Sequence, residues 1–134
     1  MSVEAILRTH PRPAAVDPSV LARCIDECAA CQATCTVCAD ADLAEADVPD
    51  LVHCARLCLD CADACGATLR ILGRQTEPDP DSRRAAVEAC LAACRASADE
   101  CHRHAHHHEH CRLCEEQCRR CIQACEELLA ALKG

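Results

Sequence analysis

The segment CIDECAACQATCTVC places cysteines at Cys24, Cys28, Cys31, Cys35 and Cys38, in steps of four, three, four and three. Those steps return to one face of an α-helix, the face on which a bundle helix ordinarily carries Leu, Ile or Val. The same rule recurs three more times. Cys54, Cys58, Cys61 and Cys65 follow it without a break, as do Cys111, Cys114, Cys118, Cys121 and Cys125. Cys90, Cys94 and Cys101 follow it with one lapse, where Ser97 and Ala98 fill the expected position. Four segments whose apolar stripe is thiol, with a mean period of about 3.5 residues, describe helices packed seam to seam in a left-handed bundle.

Breaks between the segments support that reading. Asp17-Pro18-Ser19 supplies cap residues before a helix from about Ser19 to Glu45. Asp47-Val48-Pro49-Asp50 interrupts the chain and restarts it as a helix to about Arg74, and TEPDPDS (76–82) is a linker that caps the third helix. The stretch HRHAHHHEH (102–110) connects to the fourth. The expected fold is therefore all-α: an antiparallel four-helix bundle over residues 19–134 with a cysteine-lined core. An extension, residues 1–18, precedes it, with a short helix at 3–9 ahead of the Pro11–Pro13 break. With 17 Cys, 3 Gly and no Phe, Trp or Tyr, thiols must fill the space that large side chains fill elsewhere.

Up-down topology also assigns layers. Cys38, Cys54, Cys101 and Cys111 share the level nearest the first turn, followed by Cys35, Cys58 and Cys114. Next come Cys31, Cys61, Cys94 and Cys118, then Cys28, Cys65, Cys90 and Cys121, with Cys24 and Cys125 last. Beyond them the seams become aliphatic at Leu21, Leu69, Leu72, Val87, Leu128 and Leu132, whereas the opposite end is crowned by histidines. Stepping from Cys101 and back from Cys111 points His104, His107 and His108 toward that mouth. His106 and His110 lie off the seam, near enough to receive or pass on an ion, and His10, His53 and His102 read as surface residues. Ile25, Leu57, Leu59, Leu91 and Ile122 also lie off the thiol seams, with no place expected in the core of a single bundle, and at least some of them are expected to bury against another protomer.

The chemistry of such a core is narrow. The odd cysteine count, the wealth of helix-forming residues and a start without an apolar signal region argue for free thiols in a reducing cytosol. A formal charge of −8 argues against nucleic-acid partners and anionic membrane surfaces, and no apolar run reaches membrane-spanning length. Thiolates select Cu(I), Zn(II) or iron–sulfur clusters. Charge separates these, because Cu(I) takes two or three thiolates and thiolates bridge ions. The limiting neutral stoichiometry is then on the order of 17 Cu(I) ions per chain. Tetrahedral zinc–thiolate sites hold fewer ions and stay anionic, and an iron–sulfur cluster needs four cysteines. The sequence shows no Glu-x-x-His pair, no haem-attachment motif, no phosphate loop and no oriented nucleophile, and no seam position is expected to carry a carboxylate. No enzymatic activity is expected.

The ladders CARLCLDCADAC (54–65) and CRLCEEQCRRCIQAC (111–125), with their counterparts on the other helices, resemble those of the four-helix-bundle copper storage proteins, cytosolic branch. The resemblance covers about Ser19 to Leu132. It implies a homotetramer of bundles, each storing many Cu(I) ions on core thiolates, with further metal ligands at the open end. The departure at Ser97 implies a less regular cluster in the second layer. A copper chaperone or a small thiol is the expected donor. Two other readings stand beside this one: a thiol redox sensor, which needs exposed, activated cysteines, and a zinc or general soft-metal buffer, suggested by the histidines.

Overall fold

The computed structural model describes residues 3–132, so the outermost residues of the two expected segments lie outside it. Five helices follow in order: α1 (Val3–Arg8), α2 (Pro18–Ala44), α3 (Val48–Gly73), α4 (Pro80–His104) and α5 (Glu109–Leu132). Pro occupies the first turn of α2, α3 and α4, where its missing N–H is no loss. Asp17 accepts from the Ser19 backbone N–H at 2.9 Å, and Asp79 accepts from that of Ser82 at 2.9 Å. Asp47, at the start of α3, makes no such bond; its carboxylate is taken by His108, 2.9 Å away. The histidine-rich stretch is less of a loop than expected, since α4 runs through His104 and only residues 105–108 separate it from α5.

α2 packs on α3, α3 on α4, α4 on α5 and α5 back on α2, closing a four-sided bundle, and α1 lies against α2. Short connections make successive helices antiparallel. All 17 cysteines are buried and unpaired by disulfides. The core they form includes only a few large side chains: Leu21, Leu51, Leu72, Val87 and Leu128 are fully buried.

Three expectations need correction. Leu69 and Leu132 are only half-buried; the α3 seam instead passes through Thr68, whose hydroxyl donates to the Ala86 carbonyl at 3.1 Å, and reaches Leu72. The α4 seam ends in Arg83, buried with its guanidinium donating to the Leu72 carbonyl at 3.1 Å, where Gln75 also donates. A cation thus closes the carboxyl end of α3, where the helix dipole favours one. Second, large aliphatics are not confined to one end: Leu51, one step before Cys54, is fully buried near the mouth. Third, Ile25 and Leu91 are buried within this chain's own core cluster, which also takes in Leu7 of α1. Leu57 and Ile122 are half-buried, and Leu59 is exposed.

Because so few bulky chains close the far end, each carries a large share of the metal-free stability. Leu72→Ala is expected to lower it by about 2–5 kcal/mol, measured by denaturant unfolding of the reduced, metal-free protein. A loss under about 1 kcal/mol would show that the end cap is not packed as described.

Candidate metal centre

The helix periodicity that sets the seam also sets the spacing of sulfurs inside it. Near the far end Cys24 and Cys125 stand 3.8 Å apart, and Cys28 is 3.7 Å from Cys90 and 3.9 Å from Cys121. Cys65 bridges upward, 3.6 Å from Cys90 and 3.7 Å from Cys94. Cys61 lies 3.5 Å from Cys94 and 3.7 Å from Cys31, which is 3.8 Å from Cys118. In the next layer Cys35 is 3.7 Å from Cys114, and Cys58 is 3.9 Å from Cys114 and 3.7 Å from Cys101. Cys101 meets Cys54 at 3.8 Å. These separations are far too long for a disulfide and short enough for one soft ion to be shared.

Donor atoms converge in groups of four. Cys28, Cys90, Cys121 and Cys125 form one; Cys31, Cys65, Cys94 and Cys121 a second; Cys31, Cys35, Cys61 and Cys118 a third. Cys38, Cys58, Cys101 and Cys114 form a fourth, and Cys38, Asp42, His110 and Cys111 a fifth. Cys121, Cys31 and Cys38 each belong to two groups, so the groups run into one another along the axis. Ser97 stands beside the link between the third and the fourth. Its hydroxyl is 3.5 Å from Cys118, 3.7 Å from Cys58 and 3.9 Å from Cys35, in the place a thiol would complete.

Hydrogen bonding splits the thiols electrostatically. Contacts with Cys38 and Cys54 pull the Cys111 thiol well below its ordinary range, while Cys54 is pushed far up by Cys101 and Cys111. One proton leaves such a pair readily, and the rest stay until a cation arrives.

The fifth group holds a residue the sequence reading missed. Asp42 is fully buried, one step of four beyond Cys38, so the α2 seam does carry a carboxylate. The seam rule was sufficient to find it. Cys111 Sγ lies 3.6 Å from Asp42 Oδ1, whereas Oδ2 has no partner among the described residues. Burial, with the charge of Cys111 second, pushes the Asp42 carboxyl up to about 7.

The histidines are arranged differently from the stepping rule, which fails because the helix breaks at residues 105–108. His110 is the one that meets thiols. Its Nδ1 lies 3.4 Å from Cys38 and 3.6 Å from Cys111, while Nε2 is 2.8 Å from a Glu45 carboxylate oxygen. The carboxylate places the proton on Nε2 and leaves the Nδ1 lone pair facing the sulfurs. His104 Nε2 is 2.9 Å from Glu100, and His108 sits between Glu45 and Asp47, at 2.8 and 2.9 Å. The hydrogen bond to Asp47 raises the His108 pKa. His106 and His107 are exposed.

Comparison with known proteins agrees with this geometry. The sequence pattern of the copper storage proteins (Csp) matches residues 17–130.

The chain belongs to the copper storage protein family.

Among its relatives, the cysteine-rich protein YhjQ of Bacillus subtilis (strain 168), itself uncharacterised, is 30% identical over 91 residues, 68% of this chain and 79% of that protein. The structure of the copper storage protein Ccsp from Streptomyces lividans loaded with 10 copper equivalents superposes with a TM-score of 0.95 at 51% identity, covering 97% of this chain and 99% of Ccsp. A second structure, described as copper loading to a cytosolic copper storage protein from the same organism (five coppers), gives a TM-score of 0.83 at 54% identity over 84% of this chain and 93% of that one. This Csp chain thus shares its fold with a copper storage protein whose structure is described as loaded with 10 copper equivalents.

The buried Asp42 makes a pH signature. Its folded pKa lies above the unfolded value of 3.8, so the folded state keeps a proton that the unfolded state releases between about pH 4 and 7. Metal-free stability should fall as pH rises through that window, and Asp42→Asn should flatten that part of the curve. Denaturation at pH 5 and pH 8 tests this; an equal pH slope in the variant would contradict it. His108 contributes in the same direction at higher pH, but equally in both proteins.

Proposed function

We propose that this protein stores Cu(I) in the cytosol, holding many ions per chain on the thiolates of Cys24, Cys28, Cys31, Cys35, Cys38, Cys54, Cys58, Cys61, Cys65, Cys90, Cys94, Cys101, Cys111, Cys114, Cys118, Cys121 and Cys125, with Asp42 and His110 completing the group nearest the mouth. The observation that carries this reading is the sharing of Cys121, Cys31 and Cys38 between successive buried groups. Shared sulfurs suit an ion content with bridging thiolates. Each thiol that takes Cu(I) loses its proton, so the charge of the core stays near zero as it fills. Zinc in the same groups would leave each tetrathiolate with two negative charges in a dry interior. A redox sensor would need accessible thiols, and all but Cys38 have zero exposure. The role is sequestration, which keeps a soft, thiophilic ion from other proteins' sites.

The assembly is a homotetramer in this proposal, with Val52 and Leu59, exposed on α3, among the apolar side chains that a second protomer covers. Sedimentation at micromolar concentration should show no monomer; a clean monomer would contradict it.

Anaerobic titration of the reduced protein with Cu(I) against a competing chelator should show tight uptake on the order of 17 ions per chain, with a large rise in unfolding temperature. Saturation at one to four ions, or displacement of Cu(I) by zinc, would overturn the reading. Ser97→Cys should raise the capacity by about one ion, because it completes the gap between the third and fourth groups. An unchanged endpoint would show that layer to be limited by something other than its missing thiol.

A further inference from the structure

The aliphatic end of the bundle holds a cation without a counter-charge. Arg83, in the first turns of α4, is only 5% exposed. Its Nη2 donates to the Leu72 carbonyl at 3.1 Å, but Nε, equally buried, has no partner among the described residues. Arg84 reaches the other way, and its Nη2 donates to the Leu132 carbonyl at 3.0 Å. Both arginines line one cavity of about 250 Å³. It opens between the α3–α4 connection at Pro78 and Pro80, the lead into α2 at Val16, and the end of α5 at Leu132. Among the described residues neither guanidinium is paired with a carboxylate. The cap acids Asp79 and Asp17 accept from Ser82 and Ser19 instead, and Asp81 is exposed. Burial lowers the Arg83 pKa, as it does for a cation that gains no opposite charge.

We propose that this cavity binds a small ionised monocarboxylic acid, whose carboxylate accepts from Arg83 Nε beside Arg84 while a short apolar body rests on Val16, Pro78, Pro80 and Leu132. A buried charge is costly without an opposite charge and full hydrogen bonding, and an oxyanion at Nε supplies both. The planar carboxylate matches the guanidinium fork. A dianion such as phosphate suits the site less, because the carboxyl ends of α3 and α5, with their partial negative charge, already face the two arginines. The volume admits a body of only a few carbons, being just below the usual range of small-ligand pockets. The acid would tie together three chain segments, the lead into α2, the α3–α4 connection and the end of α5, and so stabilise the folded chain. The site lies beyond the last thiols and does not depend on what the core stores.

Titrating the reduced, metal-free chain with valerate at fixed ionic strength tests this. The Arg83 Nε–Hε resonance in nitrogen–proton NMR should shift saturably, and the unfolding temperature should rise with valerate concentration. Neutral valeramide, which has the same apolar body, should leave both unchanged. Arg83→Met and Arg84→Gln should each weaken valerate binding by about tenfold or more, read from the unfolding temperature. Arg74→Gln, at an exposed arginine outside the cavity, should bind valerate at parental strength. If Arg83→Met does not fold, the resonance shift in the parent and the Arg84→Gln comparison decide the matter. No response to valerate, an equal response to valeramide or to added chloride, tighter binding of inorganic phosphate, or parental affinity in the Arg84→Gln variant would each overturn the proposal.

Discussion

A thiolate inside a dry helical bundle is an uncompensated charge, and a row of them is untenable without cations. Everything else in the structure follows from how that charge is kept low. Metal-free, the core stays largely protonated, with protons shared between sulfurs 3.5–4.0 Å apart. Filled, it exchanges each proton for a monovalent ion. The core lacks aromatics and has few large aliphatics, so the apo bundle owes little to hydrophobic burial by bulky chains and has much to gain from ions that bridge helices. Aliphatic packing is retained where ions have no role: at Leu21, Leu72, Val87 and Leu128 beyond the last thiols.

The two ends differ in kind. At the far end Arg83 and Gln75 converge on the Leu72 carbonyl and α3 is sealed. At the other, Asp42, His110 and Glu45 form a polar string from the thiols to the surface. Glu45 anchors two imidazoles with one oxygen and so fixes the His110 ring that faces Cys38 and Cys111. A ligand set of mixed hardness suits a place where copper is transferred, while pure thiol groups suit a place where it is kept.

Much of this was legible in the chain because a helix converts spacing directly into geometry. Steps of three and four gave the seam and the antiparallel order gave the levels, down to the hole at Ser97, although the sulfurs are staggered so that converging groups of four cysteines draw on two neighbouring levels. The same arithmetic extended one step reaches Asp42 from Cys38, Leu51 from Cys54 and Arg83 from Val87; stopping at the cysteines concealed them. His110 was beyond it. Its role arises where α5 begins, after residues 105–108 have broken the helical phase that spacing needs, and its ring is oriented by Glu45, a contact 65 positions away in sequence. The burial of Leu7 likewise required the packing of α1 on α2.

The central claim is that Cu(I) occupies this core as a run of thiolate-bridged ions. X-ray absorption at the copper K edge of the fully loaded chain tests it most directly. The account predicts a Cu(I) edge, a first shell of about two to three sulfurs, and a strong copper–copper scattering feature from neighbours that share a sulfur. A shell dominated by nitrogen or oxygen, or sulfur ligation with no copper neighbour at full loading, would contradict it.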